Sequence, residues 1–493
     1  MGSTFFEKAV PAQAGIPAGR LLDYLKALEN RRLCMHSVML VKDGMQVLDA
    51  YYKPFGPESR HRIYSCSKSM VSLAIGILAG EGKIALDDPV SRYFPDLLPE
   101  NPHPFMLKDT IRDLLRMATA FDDDTTSIAI HDWVASHFRT EPTHLPGTIF
   151  HYDTSGTVML TAIVERVTGQ PFLEYLRPRL LDPLCISKDI RCIQTPDGYS
   201  WGGSGVICTA LDLAKIAYVC MHKGQYNGKQ LIPRDYLEKA LTRQIDTVVN
   251  HLGFSPYGYG YQVWVMPHGF AFKGMGGQIA LCLPEKDTML VTTGDTQEMA
   301  DDMELVPQIF YEKVYPYLDT ALPDSEKEDQ AELDRHCAEA KLQVVQGSPV
   351  GSGAERYSGR EFEMLPNSMK ITRMRLDFSG KDGTLSYSNA SGDHVLEFGM
   401  GWNKPGVFPE TTYSGYRIGV PKGEGYRCTT SAAWADENTL ILCCYIIDDY
   451  LGMMRVQFTF GDDSLTVLMT KVAEYFLEEY EGFATGFCRA EEH

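Results

Sequence analysis

The pattern of helical and strand-like segments changes abruptly near residue 323, and this change does most to limit the folds open to the chain. Before it, segments with helical spacing alternate with short apolar strands; after residue 356, short alternating runs continue to the end. The acidic run Asp324–Asp329 and the Gly/Ser/Pro-rich run Gly347–Gly353 between them are typical of a linker. A chain of 493 residues is also too long for one hydrophobic core. We therefore predict a mixed domain over residues 1–322, a linker over 323–356 and a β-rich domain over 357–493.

Several segments of the first domain have clear local patterns. Apolar runs on both sides of the turn Lys42-Asp43-Gly44 predict a β-hairpin from His36 to Tyr52. From Ser65 to Gly80, apolar residues recur three and four positions apart, which predicts a helix that is terminated by glycines. The other clear predictions are helices over Thr157–Val167 and Leu211–Met221 and a strand pair over Ile279–Thr293.

The region after the linker is β-like throughout. Alternating runs such as Met374–Phe378, Thr439–Ile447 and Met454–Phe460 are separated by glycine-rich turns. Many short strands without helices predict a small antiparallel barrel or a curled sheet. The order and composition of this region resemble those of a lipocalin-like domain. Within the linker itself, the apolar residues between 331 and 342 predict one short helix.

Charge and composition exclude several classes of function. A formal net charge of −19 disfavours nucleic acid and anionic membrane surfaces as partners, because both attract basic proteins. We find no apolar run near twenty residues and no basic, apolar secretory signal at the N-terminus, which predicts a cytoplasmic protein. The twelve cysteines have no zinc-like spacing, and we expect reduced thiols and neither a metal nor an organic cofactor.

Ser65-Cys66-Ser67-Lys68 is the first candidate for chemistry. On a helix, positions i and i+3 share a face, so the hydroxyl of Ser65 and the amine of Lys68 can meet. The free N–H groups of a helix N-terminus favour a developing oxyanion, and a lysine withdrawn from water can accept the serine proton. By itself, a serine and a lysine three residues apart are common on ordinary surface helices, so the surrounding sequence decides.

The segment His61–Met70 resembles the nucleophile segment of the serine β-lactamase and penicillin-binding-protein superfamily, in particular the branch of class C β-lactamases, DD-peptidases and related esterases. The likeness extends in the right order over roughly residues 20 to 315. The other matching segments are Gly82–Val90, Asp109–Leu115, Pro146–Tyr152, Gly202–Gly205, Thr209–Ala214 and Tyr257–Tyr261. This resemblance implies that Ser65 is the nucleophile and Lys68 its partner.

The family's second motif is Tyr-x-Asn, and this chain has Tyr152-Asp153-Thr154. The resemblance implies that Tyr152 takes part in proton transfer with Lys68 and then activates water. We expect the lysine cation to lower the pKa of the tyrosine from its usual value of about 10. Thr154 replaces the asparagine; it keeps one hydroxyl but lacks the paired donor and acceptor of an amide, which puts recognition of a substrate amide in question.

The third motif, usually Lys-Thr-Gly or His-x-Gly, has its best match at Phe272-Lys273-Gly274, followed by Met275. An alternative register places Gly269-Phe270-Ala271 there. In the first register Phe272 replaces the basic residue and Lys273 points to the opposite face of the strand. The resemblance then implies an oxyanion hole from the N–H groups of Ser65 and Met275, with Thr154, Phe272, Lys273 and Gly274 beside the substrate.

Other motifs fit less well. Gly202–Val206 is one glycine short of the GxSxG nucleophile elbow, and Gly274–Gly277 lacks both the context and the last glycine of a dinucleotide-binding loop. The run Asp122–Asp124 could bind a cation, although a solvated loop is the simpler interpretation.

The sequence therefore predicts an α+β, β-lactamase-like domain, with an antiparallel sheet flanked by helices and an all-α region, followed by the β-rich domain. The predicted function is acyl transfer through Ser65 on a small ester or amide. The absent basic residue argues against efficient β-lactamase activity. The alternatives are a D-amino-acid-type peptidase or amidase, a penicillin-binding enzyme, and a catalytically inactive homologue that only binds a ligand.

Overall fold

The computed structural model describes residues 5–128, 131–247, 256–299, 302–409, 425–474, 477 and 479–488. The chain divides into two compact units, Met1–Lys341 and Leu342–His493. Within these described ranges, no helix is both long and apolar enough to cross a membrane.

The first unit is built on a seven-stranded sheet in the order β1-β3-β2-β12-β11-β10-β9. All neighbouring pairs are antiparallel except β1 and β3. The predicted hairpin and the predicted strand pair are confirmed as β2–β3 and β11–β12, whose side chains form much of the buried core. The strands of this unit are β1 Glu7–Lys8, β2 Met35–Lys42, β3 Met45–Tyr51, β4 Arg60–Arg62, β5 Arg191–Cys192, β6 Val206–Thr209, β7 Gln225–Tyr226, β8 Lys229–Gln230, β9 Trp264–Met266, β10 Gly269–Gly274, β11 Gln278–Leu283 and β12 Thr288–Gly294.

Helices pack on the sheet and form an α-rich region beside it. The helices are α1 Ala18–Asn30, α2 Cys66–Gly80, α3 Ile111–Leu115, α4 Trp133–Arg139, α5 Thr154–Thr168, α6 Phe172–Leu176, α7 Ala210–Met221, α8 Arg234–Ala240, α9 Asp302–Lys313 and α10 Glu326–Glu339. The three helices predicted from apolar spacing are confirmed as α2, α5 and α7. Helix α2 packs on β10 and α5, so its N-terminus lies between the sheet and the α-rich region.

The predicted linker over 323–356 differs from the structure. The predicted short helix is present as α10, but it belongs to the first unit: Leu333 is buried, and Glu332 and His336 contact Lys26 and Glu29 of α1 at 2.7 and 2.9 Å. The units divide between Lys341 and Leu342 instead. The acidic composition of this segment indicated a solvated spacer. Its ionic partners in α1 lie about 300 residues away in sequence, so no local pattern predicted the docking of this helix.

The second unit confirms the prediction of a small β-barrel. Every strand in the described part of this unit belongs to one sheet, in the order β16-β15-β14-β13-β22-β21-β20-β19-β18-β17, and a parallel pairing of β16 with β18 closes nine of them into a barrel. The elements are α11 Ser352–Tyr357, β13 Glu361–Met364, β14 Arg373–Ser379, β15 Asp382–Asn389, β16 Gly392–Met400, β17 Lys404–Phe408, β18 Tyr426–Trp434, β19 Thr439–Ile447, β20 Leu451–Phe460, β21 Ser464–Ala473 and β22 Gly482–Cys488. The closer likeness to lipocalins stays a prediction.

Candidate active site

Ser65 and Lys68 meet at the start of α2, as the sequence spacing predicts. Ser65 is the residue directly before the helix, and Lys68 lies in its first turn. The Lys68 Nζ atom is 3.1 Å from the Ser65 Oγ atom. Tyr64, immediately upstream, has a positive φ of 45°, a conformation that costs energy in a residue with a side chain. Ser65 therefore lies on a strained turn between strand and helix.

The Lys68 side chain is almost fully buried, with 1% of its surface exposed. Besides Ser65, its Nζ atom contacts the Thr154 Oγ1 atom at 3.1 Å and the Gly203 carbonyl oxygen at 2.6 Å. It also lies 5.2 Å from the centre of the Tyr152 ring. These contacts hold the amine beside the serine from three directions.

Tyr152 reaches the same point from the segment before α5. Its ring stacks on Trp264 with a centroid distance of 5.6 Å and an interplanar angle of 17°. Burial raises the pKa of Tyr152 above its usual value, and a hydrogen bond with Ser65 opposes the increase only in part. The direction is opposite to the one expected from the lysine cation, because removal of the phenol from water has the larger effect. Tyr152 is therefore protonated at neutral pH in this arrangement.

Asp153 explains why Tyr152 and Thr154 lie where they do. Its buried carboxylate caps α5 and accepts hydrogen bonds from the backbone nitrogens of Ser155, at 2.7 Å, and Gly156, at 3.2 Å. Thr154 is the first residue of that helix, so the cap fixes its hydroxyl against Lys68. Burial raises the pKa of Asp153 to about 7.

The end of β10 lies directly against Ser65. A Cβ atom placed on Gly274 would lie 2.3 Å from the Ile63 carbonyl oxygen and 3.1 Å from the Ser65 nitrogen. The same test at Gly269 meets Cys282 and Pro284 instead. The first register of the third motif, and not the alternative, thus adjoins Ser65. Met275 follows Gly274 directly, at the end of β10.

The side chains of Phe272 and Lys273 are both buried. Phe272 has 1% of its surface exposed and lies in the core beside Phe270. The Lys273 side chain is fully buried, forms an ion pair with Glu304 of α9, and has its Nζ atom 5.1 Å from the centre of the Trp264 ring. The partner of Lys273, Glu304, lies 31 residues further along the chain and had no sequence signal.

Three further groups had no indicated role in the sequence. The Gly203 carbonyl belongs to a glycine-rich segment whose sequence shows a resemblance to the family but no role. Arg62 lies within the nucleophile segment, and its guanidinium group is completely buried. Trp264 supports Tyr152. Among the described residues, no group of histidine, cysteine, aspartate and glutamate side chains could hold a metal ion. The described groups instead form a hydroxyl, an amine and a phenol in mutual contact, a set able to pass one proton.

Comparison with known proteins finds a matching family model, a related hydrolase and solved structures of similar fold. A family model described as Beta-lactamase matches residues 29–308. The chain is 27% identical over 319 residues to the 6-aminohexanoate-dimer hydrolase of Paenarthrobacter ureafaciens, which covers 58% of this chain and 79% of that protein. The structure of a putative 6-aminohexanoate-dimer hydrolase from Bacillus anthracis matches with a TM-score of 0.52 and 18% identity, over 63% of this chain and 86% of that chain. A putative beta-lactamase from Bacteroides dorei DSM 17855 matches with a TM-score of 0.50 and 13% identity, over 60% and 99%. At these identities the two structural matches concern the fold.

Proposed function

We propose that this chain, which belongs to the beta-lactamase family, is a serine hydrolase that transfers the acyl group of a small ester or amide first to Ser65 and then to water. The observation that carries the proposal is the 3.1 Å contact between the Lys68 Nζ and Ser65 Oγ atoms at the N-terminus of α2. A hydroxyl and a buried amine at this distance form the nucleophile and base of an acyl-transfer reaction.

In the acylation step, Lys68 acts as an uncharged amine. It donates its two N–H bonds to the Gly203 carbonyl and the Thr154 hydroxyl, which directs its lone pair toward Ser65. Lys68 takes the proton as the Ser65 Oγ atom bonds to the substrate carbonyl carbon. The tetrahedral oxyanion lies against the N–H groups of Ser65 and Met275. Collapse breaks the bond to the alcohol or amine, which leaves with a proton.

Tyr152 supplies that proton in our proposal. Because burial keeps its phenol protonated, Tyr152 can donate to the leaving group and be reprotonated by Lys68. The second step reverses the route: water attacks the acyl carbon, its proton passes to the Tyr152 and Lys68 pair, and Ser65 is released with its proton restored. Each cycle consumes one water and requires no cofactor.

The charges near the strand favour a neutral substrate group at this position. Lys273 is buried in its ion pair with Glu304, so β10 presents no lysine to a substrate carboxylate. A β-lactam or a peptide with a free carboxylate would lack that contact.

The name of the Paenarthrobacter ureafaciens relative, a 6-aminohexanoate-dimer hydrolase, supports small amides as candidates alongside esters.

Intact-mass spectrometry after incubation with a fluorophosphonate probe tests the proposal. We expect one probe-mass adduct that maps to Ser65, together with turnover of p-nitrophenyl esters. Both should be lost in Ser65→Ala and retained in Ser391→Ala, a control at an exposed serine in the barrel unit. Failure of the wild type to react with any acylating probe would refute the hydrolase proposal and favour the ligand-binding homologue.

A further inference from the structure

Arg62 is a completely buried cation three residues before the nucleophile. It ends β4, which pairs with β6 so that Arg62 lies opposite Ile207. The next residue, Ile63, donates its backbone N–H to the Val206 carbonyl at 2.9 Å. The nucleophile segment is thus joined directly to the segment that carries Gly203.

The guanidinium group contacts both ends of one tight turn. Its Nε and Nη2 atoms donate to the Ser204 carbonyl at 2.9 Å and to the Ser204 Oγ atom at 2.8 Å. Its central carbon lies 4.5 Å from the Trp201 ring. The backbone N–H of Ser204 donates to the Trp201 carbonyl at 3.1 Å, which closes the turn. Arg62 therefore contacts both ends of a turn that is closed by a backbone hydrogen bond.

The peptide unit between Gly203 and Ser204 connects this turn to the active site. Its N–H is the one bonded to Trp201, and its carbonyl accepts from Lys68 at 2.6 Å. A planar peptide that is held on its N–H side must direct its carbonyl one way. The grip of Arg62 on Ser204 and Trp201 consequently determines where the Gly203 oxygen meets the Lys68 amine.

The same guanidinium also supports the strained residue next to Ser65. It lies 4.4 Å from the ring of Tyr64, whose φ is 45°. Strained backbone persists only where surrounding contacts hold it in place. A single side chain thus contacts the element that presents the hydroxyl and the element that orients the amine.

We propose that Arg62 is a positioning residue that holds Tyr64 and the Trp201–Ser204 turn so that Ser65 and Lys68 keep their reactive geometry. This inference rests on the proposed acyl-transfer function. The described contacts of Arg62 are with Ser204, Trp201 and Tyr64, so its role is one of positioning. Its loss should slow acylation while leaving substrate binding nearly unchanged.

The test compares Arg62→Lys with Arg60→Met. Lysine retains the charge but cannot reproduce the planar fork that grips Ser204 or the stacking on both rings. Arg60 lies on the same strand but is exposed, with a surface ion pair to Asp189, and it provides a matched control. We measure kcat and KM for a p-nitrophenyl ester, with the enzyme concentration set by active-site titration and the fold monitored by thermal melting.

We expect Arg62→Lys to lower kcat per titrated site by about 10- to 100-fold, since small misplacements of catalytic groups have effects of this size, with KM within about threefold. Arg60→Met should stay near the wild type. A purely structural role would reduce the number of titrated sites and leave kcat per site unchanged, which would overturn the proposal. If Arg62→Lys does not fold, Ser204→Ala decides: a fall in kcat per site at constant KM supports the proposal, and an unchanged kcat refutes it.

Probe labelling distinguishes a protein without a reactive serine from a misassigned role of Arg62. If the probe does not label wild-type Ser65, the hydrolase proposal itself is wrong. If the wild type is labelled and Arg62→Lys is labelled at the same rate per folded molecule, only the role assigned to Arg62 is wrong.

Discussion

Replacement of Gly274 by alanine would move the end of β10 away from the nucleophile. The added Cβ atom would lie 2.3 Å from the Ile63 carbonyl oxygen, and 3.1 and 3.2 Å from the backbone nitrogens of Ser65 and Cys66. All three neighbours are backbone atoms of the turn that presents Ser65, so no flexible side chain can yield. Because ordinary carbon–oxygen contacts begin near 3.3 Å, either the strand or the turn must shift by about 1 Å.

A shift of that size would disturb the oxyanion hole that we propose between Ser65 and Met275. It separates the Met275 N–H group from that of Ser65, so a substrate oxygen can no longer meet both. Loss of one oxyanion donor costs roughly 100- to 1,000-fold in kcat, or about 3 to 4 kcal/mol of transition-state stabilisation. Because the strand can relax in part, we expect Gly274→Ala to lower kcat by about 100-fold, with a smaller change in KM.

The assay measures p-nitrophenyl ester hydrolysis and the rate of fluorophosphonate labelling, with thermal melting to confirm the fold. Gly56→Ala is the matched control, because a Cβ atom there meets nothing within 4 Å. We expect this control to keep wild-type kinetics. A folded Gly274→Ala variant with kcat within about threefold of the wild type would refute the proposal that β10 contributes to the oxyanion hole. A displacement of about 1 Å in a catalytic group should lower kcat by more than that.

Changes at Thr154, Glu304 and His61 test three other features of the site and its surroundings. Thr154→Val removes a hydroxyl that accepts from Lys68 and should lower kcat about tenfold at constant KM, whereas Thr154→Ser should retain activity; equal kinetics for the two variants would contradict this. Glu304→Gln weakens the ion pair of Lys273 and so makes its positive charge available to a substrate carboxylate. The ratio of kcat/KM for a p-nitrophenyl ester with an acyl carboxylate to kcat/KM for a neutral ester should rise by roughly 5- to 10-fold. An unchanged ratio would place the ion pair outside the reach of the substrate. Burial lowers the pKa of His61 from 6.5 to about 4, so the native state binds fewer protons than the unfolded chain between these values. The free energy of unfolding is therefore highest above pH 6.5 and falls by about 2 kcal/mol at pH 5, because the unfolded chain binds a proton that the folded protein excludes. Urea unfolding at pH 7 and pH 5 should show a smaller difference between the two pH values for His61→Gln than for the wild type.

The sequence was sufficient for features that depend on neighbours along the chain. The hairpin over His36–Tyr52 and the helix after Ser65 followed from apolar periodicity, because strands and helices repeat every 2 and about 3.6 residues. The contact of Ser65 with Lys68 followed from the same rule, since residues three apart share a helical face. The barrel was predicted as one of two β-rich alternatives from the alternating runs after residue 356.

Contacts between distant segments were not predictable in this way. The Gly203 carbonyl lies 135 residues from Lys68, and the Ser204 atoms held by Arg62 lie 142 residues away. The ion pair that buries Lys273 and the docking of α10 on α1 are of the same kind. Local patterns specify which residues share a face, but not which distant backbone atom that face will meet.

Burial is the second reason why the structure differs from the sequence-based expectation, as the pKa of Tyr152 shows. A lysine next to Tyr152 suggested a lowered pKa, yet the pKa is raised, because the folded chain removes the phenol from water and this outweighs the hydrogen bond with Ser65. The sequence by itself determined the candidate nucleophile, the amine one turn later and the order of helices and strands around them, since these depend on residue type and local spacing. Only the tertiary structure decided which oxygen atoms hold the amine, which glycine adjoins Ser65 and which lysine is neutralised, because desolvation and contacts across the fold exist only once distant segments have packed together.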